Sequence, residues 1–390
     1  MQKPNRTLLN ASGKSNLIKS MSLMKNFVLN SFRDALLDKK ERHLNVQKFM
    51  LNAECDQKPS FFEILFIQKK KRYRYGFEVS DGIIISEWLF FVKSIKEVEL
   101  FIRKGNSIKV HKRSFKEGVG LEEKTLENVL FLTVVAQLNG EKSTQVIEWF
   151  KKFKILSGLN DLHHSKTLSE YKKNPKFKKW AESVFKSLDI VHFNSIKITP
   201  KIFDFKNIKN KEKNQKVQKL FSAINDLQKD QGEAEQVLTW HNKYDGNKIL
   251  KERIPFDFYT QESEGTKKII NYLGPIYDTL SNGLILVVDE LDSRLHPLLT
   301  IMILSFFHEY NVKNAQLIFA SHDTNLLKKD YFRRDQIWFT EKNDFKESEL
   351  YSLIEYKEEH VRNDASFDKN YLKGRYGAIP FLDNILTEFN

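Results

Sequence analysis

The chain has one cysteine, Cys55, in 390 residues. A single cysteine excludes an internal disulfide and a cysteine-based zinc site. No apolar run approaches the roughly 20 residues that span a bilayer, so no membrane partner is expected. The N-terminus lacks the apolar core of a secretory signal, so the protein is expected to stay in the cytoplasm. Sustained heptads are missing, and this excludes a long coiled-coil arm. His163 and His164 have no further ligands at metal spacing and read as surface histidines. Arginine is absent between Asn160 and Lys219, where 15 lysines stand against 6 acidic residues.

What is present describes a folded protein. The charged fraction is 29% and the hydrophobic fraction 41%, which is globular and not disordered. The length accommodates one large domain with an insertion, or two domains. The net charge of +13 has two readings, attraction to nucleic acid or a lysine-rich compositional bias. Lysine without arginine attracts phosphate diffusely and reads bases poorly, so the basic segment is expected to be a solvated face, with nucleic acid a possible partner.

Near the N-terminus, Asn10-Ala11-Ser12-Gly13-Lys14-Ser15 matches the second half of G-x-x-x-x-G-K-[ST]. Glycine lets the backbone turn around phosphate, lysine reaches the β- and γ-phosphates, and the Ser15 hydroxyl is placed to ligate Mg²⁺. Leu17, Met21, Met24 and Val28 recur at helical spacing, and a helix beginning here would aim free N–H groups at phosphates. The first glycine of the pattern falls on Leu8, and Met1 to Thr7 do not read as a strand. The strand from which such a loop normally hangs is therefore expected to be missing. Truncation, a true start upstream and a shifted frame would each explain this.

Further along, Leu284-Ile285-Leu286-Val287-Val288 runs into Asp289-Glu290. An unbroken apolar run predicts a strand buried on both faces of a parallel sheet, and acids just past it lie at the edge where open α/β sheets bind ligands. Asp289 is placed to support Mg²⁺, and Glu290 to polarise an attacking water. A second short strand, Gln316–Ala320, ends in Ser321-His322-Asp323 and would deliver His322 to the same edge. Ser263 is a good helix cap and Gly265 permits close backbone approach. Gly274-Pro275 is expected to kink the helix that follows.

The rest supplies architecture. Phe61–Ile67, Tyr73–Val79, Ile83–Phe91, Val98–Ile102 and Ser107–His111 predict an antiparallel meander, with basic Lys69 to Arg74 as a solvated turn. Leu121 to Leu156 reads as helices. Val217, Leu220, Ile224 and Leu227 suggest an amphipathic helix continuing towards Val237. Arg333 and Arg334 read as an ion-paired corner before a strand at 337–339. Glycines within Tyr371–Pro380 imply a tight turn.

The order of these parts resembles ABC-type ATPase heads of the SMC-like and OLD-like branch. The similarity is strongest to the AAA-type ATP-binding proteins of bacterial abortive-infection and anti-phage systems. The carrying residues are Asn10–Ser15, Ser263–Lys267, Leu286–Pro297, Ser321–Asp323, Arg333–Phe339 and Tyr371–Pro380.

The resemblance implies an α/β P-loop ATPase head with a mainly parallel central sheet, an antiparallel β subdomain and a helical insertion. Three blocks are expected: 1–115 with the P-loop and meander, 116–250 as a lysine-rich helical insertion, and 251–390 with the remaining motifs. It implies ATP and Mg²⁺ as cofactors. Asn10, Ser12, Gly13, Lys14, Ser15 and Asn16 would bind nucleotide, and Ser15 and Asp289 the metal. Glu290 would be the general base and His322 a switch histidine.

Ser263 and Gly265 would act on the nucleotide of a second copy in a head-to-tail homodimer, with Asp292 at the seam. Gln68 is the candidate for a γ-phosphate-sensing glutamine. Such proteins often work with a nuclease, here expected as a separate effector. Three functions follow in order: an ATPase gating anti-phage defence, a degenerate nucleotide-binding scaffold, and an SMC-like DNA-maintenance ATPase.

Overall fold

The computed structural model describes residues 13–36, 46–92, 96–158, 164–198, 234–356 and 366–378. By contacts the chain divides into two units. One is Met1–Leu159 with Asn282–Ser293 and Ile301–Asn390, and the other is Asn160–Ser281 with Arg294–Thr300. The expected block boundary near 116 falls inside the first unit, and the one near 250 inside the second.

In the first unit the apolar run after Gly283 forms a strand. Its residues Ile285, Leu286, Val287 and Val288 are all buried. We number strands and helices in chain order, and this strand, Ile285–Asp289, is β10. It pairs in parallel with β11, Gln316–Phe319, on one side and β6, Phe153–Ser157, on the other. Residues 153–156 were expected to end a helix, and the structure corrects this. The five residues Phe153-Lys154-Ile155-Leu156-Ser157 are too few to carry a decisive period. Pairing with β10, residue for residue from Phe153↔Ile285 to Ser157↔Asp289, decides the matter.

Helix α1, Lys14–Asn30, buries Ile18, Met24, Phe27 and Val28. The ring of Phe27 meets those of Phe62 and Phe77 edge-on, at 6.1 and 5.5 Å between centroids. Those rings belong to a five-stranded meander: β1, Ser60–Gln68; β2, Lys71–Ser80; β3, Ile83–Val92; β4, Glu97–Lys104; and β5, Ser107–Val110. The spatial order is β1-β2-β3-β4-β5, each pair antiparallel. Two-residue turns with positive φ join the strands at Lys69-Lys70 and Asp81-Gly82, matching the right-handed twist of the hairpins. Within the basic run, Arg74 bridges Glu63 at 3.1 Å and Glu97 at 2.7 Å.

A buried polar knot joins the meander to the helices behind it. The Glu87 carboxylate accepts from Phe131 N at 2.6 Å, Leu132 N at 3.0 Å and Tyr75 OH at 3.0 Å. It thereby caps α2, Phe131–Gln137, whose own N-cap residue supplies no side-chain bond. Arg103 lies 3.9 Å from Glu87 and donates to the carbonyls of Gly105, Leu126, Glu127 and Val129. Burial raises the Glu87 pKa above the usual carboxylate range, against the opposing pull of Arg103 and the donors. Helix α3, Glu141–Lys151, leads directly into β6.

The end of this unit is a hairpin of β12, Trp338–Lys342, and β13, Ser348–Ser352. Its inner face packs Phe339 with Leu353, Phe367 and Tyr376. Tyr351 and Tyr356 both donate to the Tyr376 carbonyl, at 2.8 and 2.7 Å, which fixes the glycine-rich turn at Gly374 and Gly377. Arg333 pairs with Asp335 at 2.8 Å, forming the corner before β12.

The second unit contains α4, His164–Lys173, and α5, Pro175–Ser187, the latter capped by Asn174. Beside them lies an antiparallel sheet of β7, His192–Ile198; β8, Ala234–Tyr244; and β9, Leu250–Asp257. The helix expected from Val217 towards Val237 lies mostly outside the described residues. From Ala234 onward the chain is the strand β8, a correction that follows from its pairing on both sides.

Helix α6, Glu264–Asn282, contains Pro275. The Thr167 hydroxyl inserts beside it, donating to Ile270 O at 2.6 Å and accepting from Gly274 N at 2.9 Å. A side chain at Gly274 would come within 2.9 Å of the Thr167 backbone. Helix α7, Pro297–Glu309, follows β10. Among the described residues no helix is long and apolar enough to cross a membrane.

Candidate nucleotide site

The first unit brings Gly13, Lys14 and Ser15 to one end of α1 and the acids to the end of β10. Gly13 caps α1 with φ 108°, a conformation that favours glycine. A side chain there would also meet Ser348, lying 2.8 Å from its Cβ and closer still to its hydroxyl. Lys14 opens the helix. Burial lowers its pKa below the ordinary lysine value. Asp292, Asp289 and Glu290 each oppose that shift, so all three lie within electrostatic reach of the ammonium. Ser15 is partly buried and Asn16 exposed, while Asn10 and Ser12 lie outside the described residues.

At the end of β10 the backbone turns sharply. Glu290 has φ 53°, which costs a non-glycine residue about 1–2 kcal/mol. Neighbouring strands hold it there. Leu291 N donates to Ala320 O at 3.0 Å, Ser293 N to Glu290 O at 3.1 Å, and Gly158 N to Asp289 O at 2.6 Å. Gly158 belongs to none of the sequence motifs; its one local signal is Ile155-Leu156 running into Ser157-Gly158. Backbone strain of this kind clusters at functional sites.

His322 follows the end of β11. Its backbone N–H donates to Asp292 Oδ2 at 3.2 Å, and its side chain is exposed. Asp292 thus ties two loops of one unit together. Gln68 is buried and its Oε1 accepts from Lys152 Nζ at 3.1 Å.

The acids fit a cation. Asp289 Oδ1 and Asp292 Oδ1 are buried and have no hydrogen-bond partner among the described residues. A buried acceptor left so costs about 1–3 kcal/mol. No group of three or more His, Cys, Asp or Glu that could hold a metal occurs among the described residues. Mg²⁺ takes one or two carboxylates and completes its octahedron with phosphate and water oxygens.

In the second unit Ser263 is exposed and caps α6, accepting from Thr266 N at 3.1 Å. Glu264 pairs with Lys267 and with Arg294, both at 2.9 Å. Gly265 lies against the Arg294 carbonyl, which an added Cβ would meet at 3.5 Å, an ordinary contact.

A mixed α/β fold carrying a lysine at a helix start, within electrostatic reach of strand-end acids, is consistent with a P-loop NTPase type of domain. The family model described as "AAA domain, putative AbiEii toxin, Type IV TA system" matches residues 9–328, and the chain belongs to that family. The resemblance to AAA/ABC-type ATPases linked to abortive infection rests on this match. A search of curated proteins found no match.

Proposed function

We propose that the protein binds Mg-ATP at the first unit's site and hydrolyses it to ADP and phosphate. The observation that supports this best is Lys14, partly buried at the start of α1 and within reach of three carboxylates, two of them with an orphaned buried oxygen. In this reading the Lys14 ammonium holds the β- and γ-phosphates, with the free N–H groups of the α1 N-terminus. Ser15 and Asp289 would hold Mg²⁺, which would supply charge neutralisation at the phosphates. Glu290 takes a proton from the attacking water, and His322 orients toward the γ-phosphate.

Ser263 and Gly265 meet the nucleotide of a second copy, giving a head-to-tail homodimer. ATP then favours the closed pair by its differential affinity, and hydrolysis removes that bias. The switch serves anti-phage defence through a separately encoded effector such as a nuclease.

Calorimetry with Mg-ATP and phosphate-release assays on wild type, Lys14→Ala and Glu290→Gln test the reading. Wild type binds and turns over, Lys14→Ala loses affinity, and Glu290→Gln binds without turnover. Unchanged affinity in Lys14→Ala would overturn it.

A further inference from the structure

Beside the exposed Ser263 stands a buried acid that the site has not yet used. Glu262 is 9% exposed. Its Oε1 accepts from the Thr239 hydroxyl and lies 2.6 Å from His241 Nε2. Thr239 and His241 are two residues apart on β8, so they share one face of the sheet. The other ring nitrogen, Nδ1, lies 3.1 Å from the Asp189 carbonyl oxygen, and Phe256 packs on the ring at 4.6 Å between centroids. The imidazole therefore has little freedom to turn. Thr239 is fully buried.

The segment leading to Glu262 is equally fixed. Asp257 Oδ1 accepts from Tyr259 N at 3.0 Å and from Thr260 N at 2.9 Å. Gln261 N returns to Asp257 O at 2.9 Å. A chain pinned at residue 262 and started as a helix at 264 leaves residue 263 almost no choice of position.

We propose that Glu262, held by Thr239 and His241, is a positioning residue for Ser263. It anchors the loop to β8 so that the serine stands out at the start of α6, ready for the nucleotide of a second copy. This rests on the proposed reading of Ser263. A buried carboxylate is costly to keep without donors, and its burial here holds the adjacent residue outward.

The test uses the full chain and two readouts. In the Glu290→Gln background, Mg-ATP-driven self-association is followed by sedimentation. In the otherwise native chain, steady-state hydrolysis gives kcat and KM. Thr239→Val keeps the volume and removes the hydroxyl, whereas Thr239→Ser keeps the hydroxyl.

The expected result is that Thr239→Val and Glu262→Gln weaken association at least tenfold, as Ser263→Ala does. They lower kcat at least tenfold with the KM for Mg-ATP within twofold, and Thr239→Ser behaves as wild type. Unchanged association and kcat in Thr239→Val and Glu262→Gln, with Ser263→Ala impaired, would overturn the inference and leave the ATPase reading standing. So would a loss of ATP affinity in step with folding stability, which marks a merely structural role. No association in the Glu290→Gln background and no turnover by wild type would overturn the reading and the inference together.

Discussion

Gly158→Ala tests whether the end of β6 sets the geometry at Asp289 and Glu290. A Cβ built at 158 lies 2.8 Å from the carbonyl carbon of Glu290, and closer still to the carbonyl oxygens of Asp289 and Glu290. Ordinary carbon contacts fall near 3.5–4.0 Å, so the two chains must separate by about 1 Å. All three atoms are backbone, so no side chain can swing aside. Separation also stretches the 2.6 Å bond from Gly158 N to Asp289 O. Overpacking of about 1–3 kcal/mol and a lost hydrogen bond of about 0.5–1.5 kcal/mol sum to roughly 1.5–4.5 kcal/mol.

Urea denaturation followed by circular dichroism reads that loss as a lower midpoint at unchanged slope. Mg-ATP turnover falls with it, because Glu290 leaves its left-handed conformation. An unfolding free energy within about 0.5 kcal/mol of wild type, which is the usual span of harmless surface changes, would refute the reasoning.

Glu290→Gln is expected to cut turnover about 10²–10⁴-fold, the usual worth of a general base, with Mg-ATP affinity kept. Phosphate release and calorimetry measure both. Gly13→Ala meets Ser348 as well as its own φ of 108°, and is expected to lose nucleotide affinity at least tenfold. Ser348→Gly removes the atoms it meets, so calorimetry on the double mutant should recover part of that loss, and strict additivity would count against the contact.

Glu87→Ala strips a buried knot of its carboxylate beside Arg103. It should cost about 3–5 kcal/mol, as breaking buried pairs does, and urea midpoints give the value.

Lys14 supplies a pH test. Its folded pKa lies below the unfolded lysine value, so the charged form costs the fold. Relative to Lys14→Met, wild-type stability should rise as pH climbs from that lowered pKa towards about 10.4, the unfolded value. Affinity for a triphosphate should fall over the same window, because it needs the ammonium. Parallel stability curves for the two proteins would contradict this.

The sequence by itself determined the local elements and where their chemistry falls. Leu286 to Val288 had to be a buried strand because nothing polar interrupts them. The helix from Lys14 followed from the spacing of Met24 and Val28, and paired turn residues such as Asp81-Gly82 marked the meander. These signals act within one turn of helix or one hairpin, so they survive without knowledge of the neighbours.

Tertiary structure alone decided what depends on partners distant in the chain. Residues 153–157 are a strand because β10 pairs with them, and their own pattern was too short to say so. Gly158 matters because the backbone of Asp289 and Glu290 passes against it. Lys14 comes within electrostatic reach of Asp289, Glu290 and Asp292 across more than 270 residues of chain, and Glu262 is anchored by a histidine and a threonine on another strand. Through-space contact of this kind leaves no period or local motif in the chain, which is why it became legible only in the folded protein.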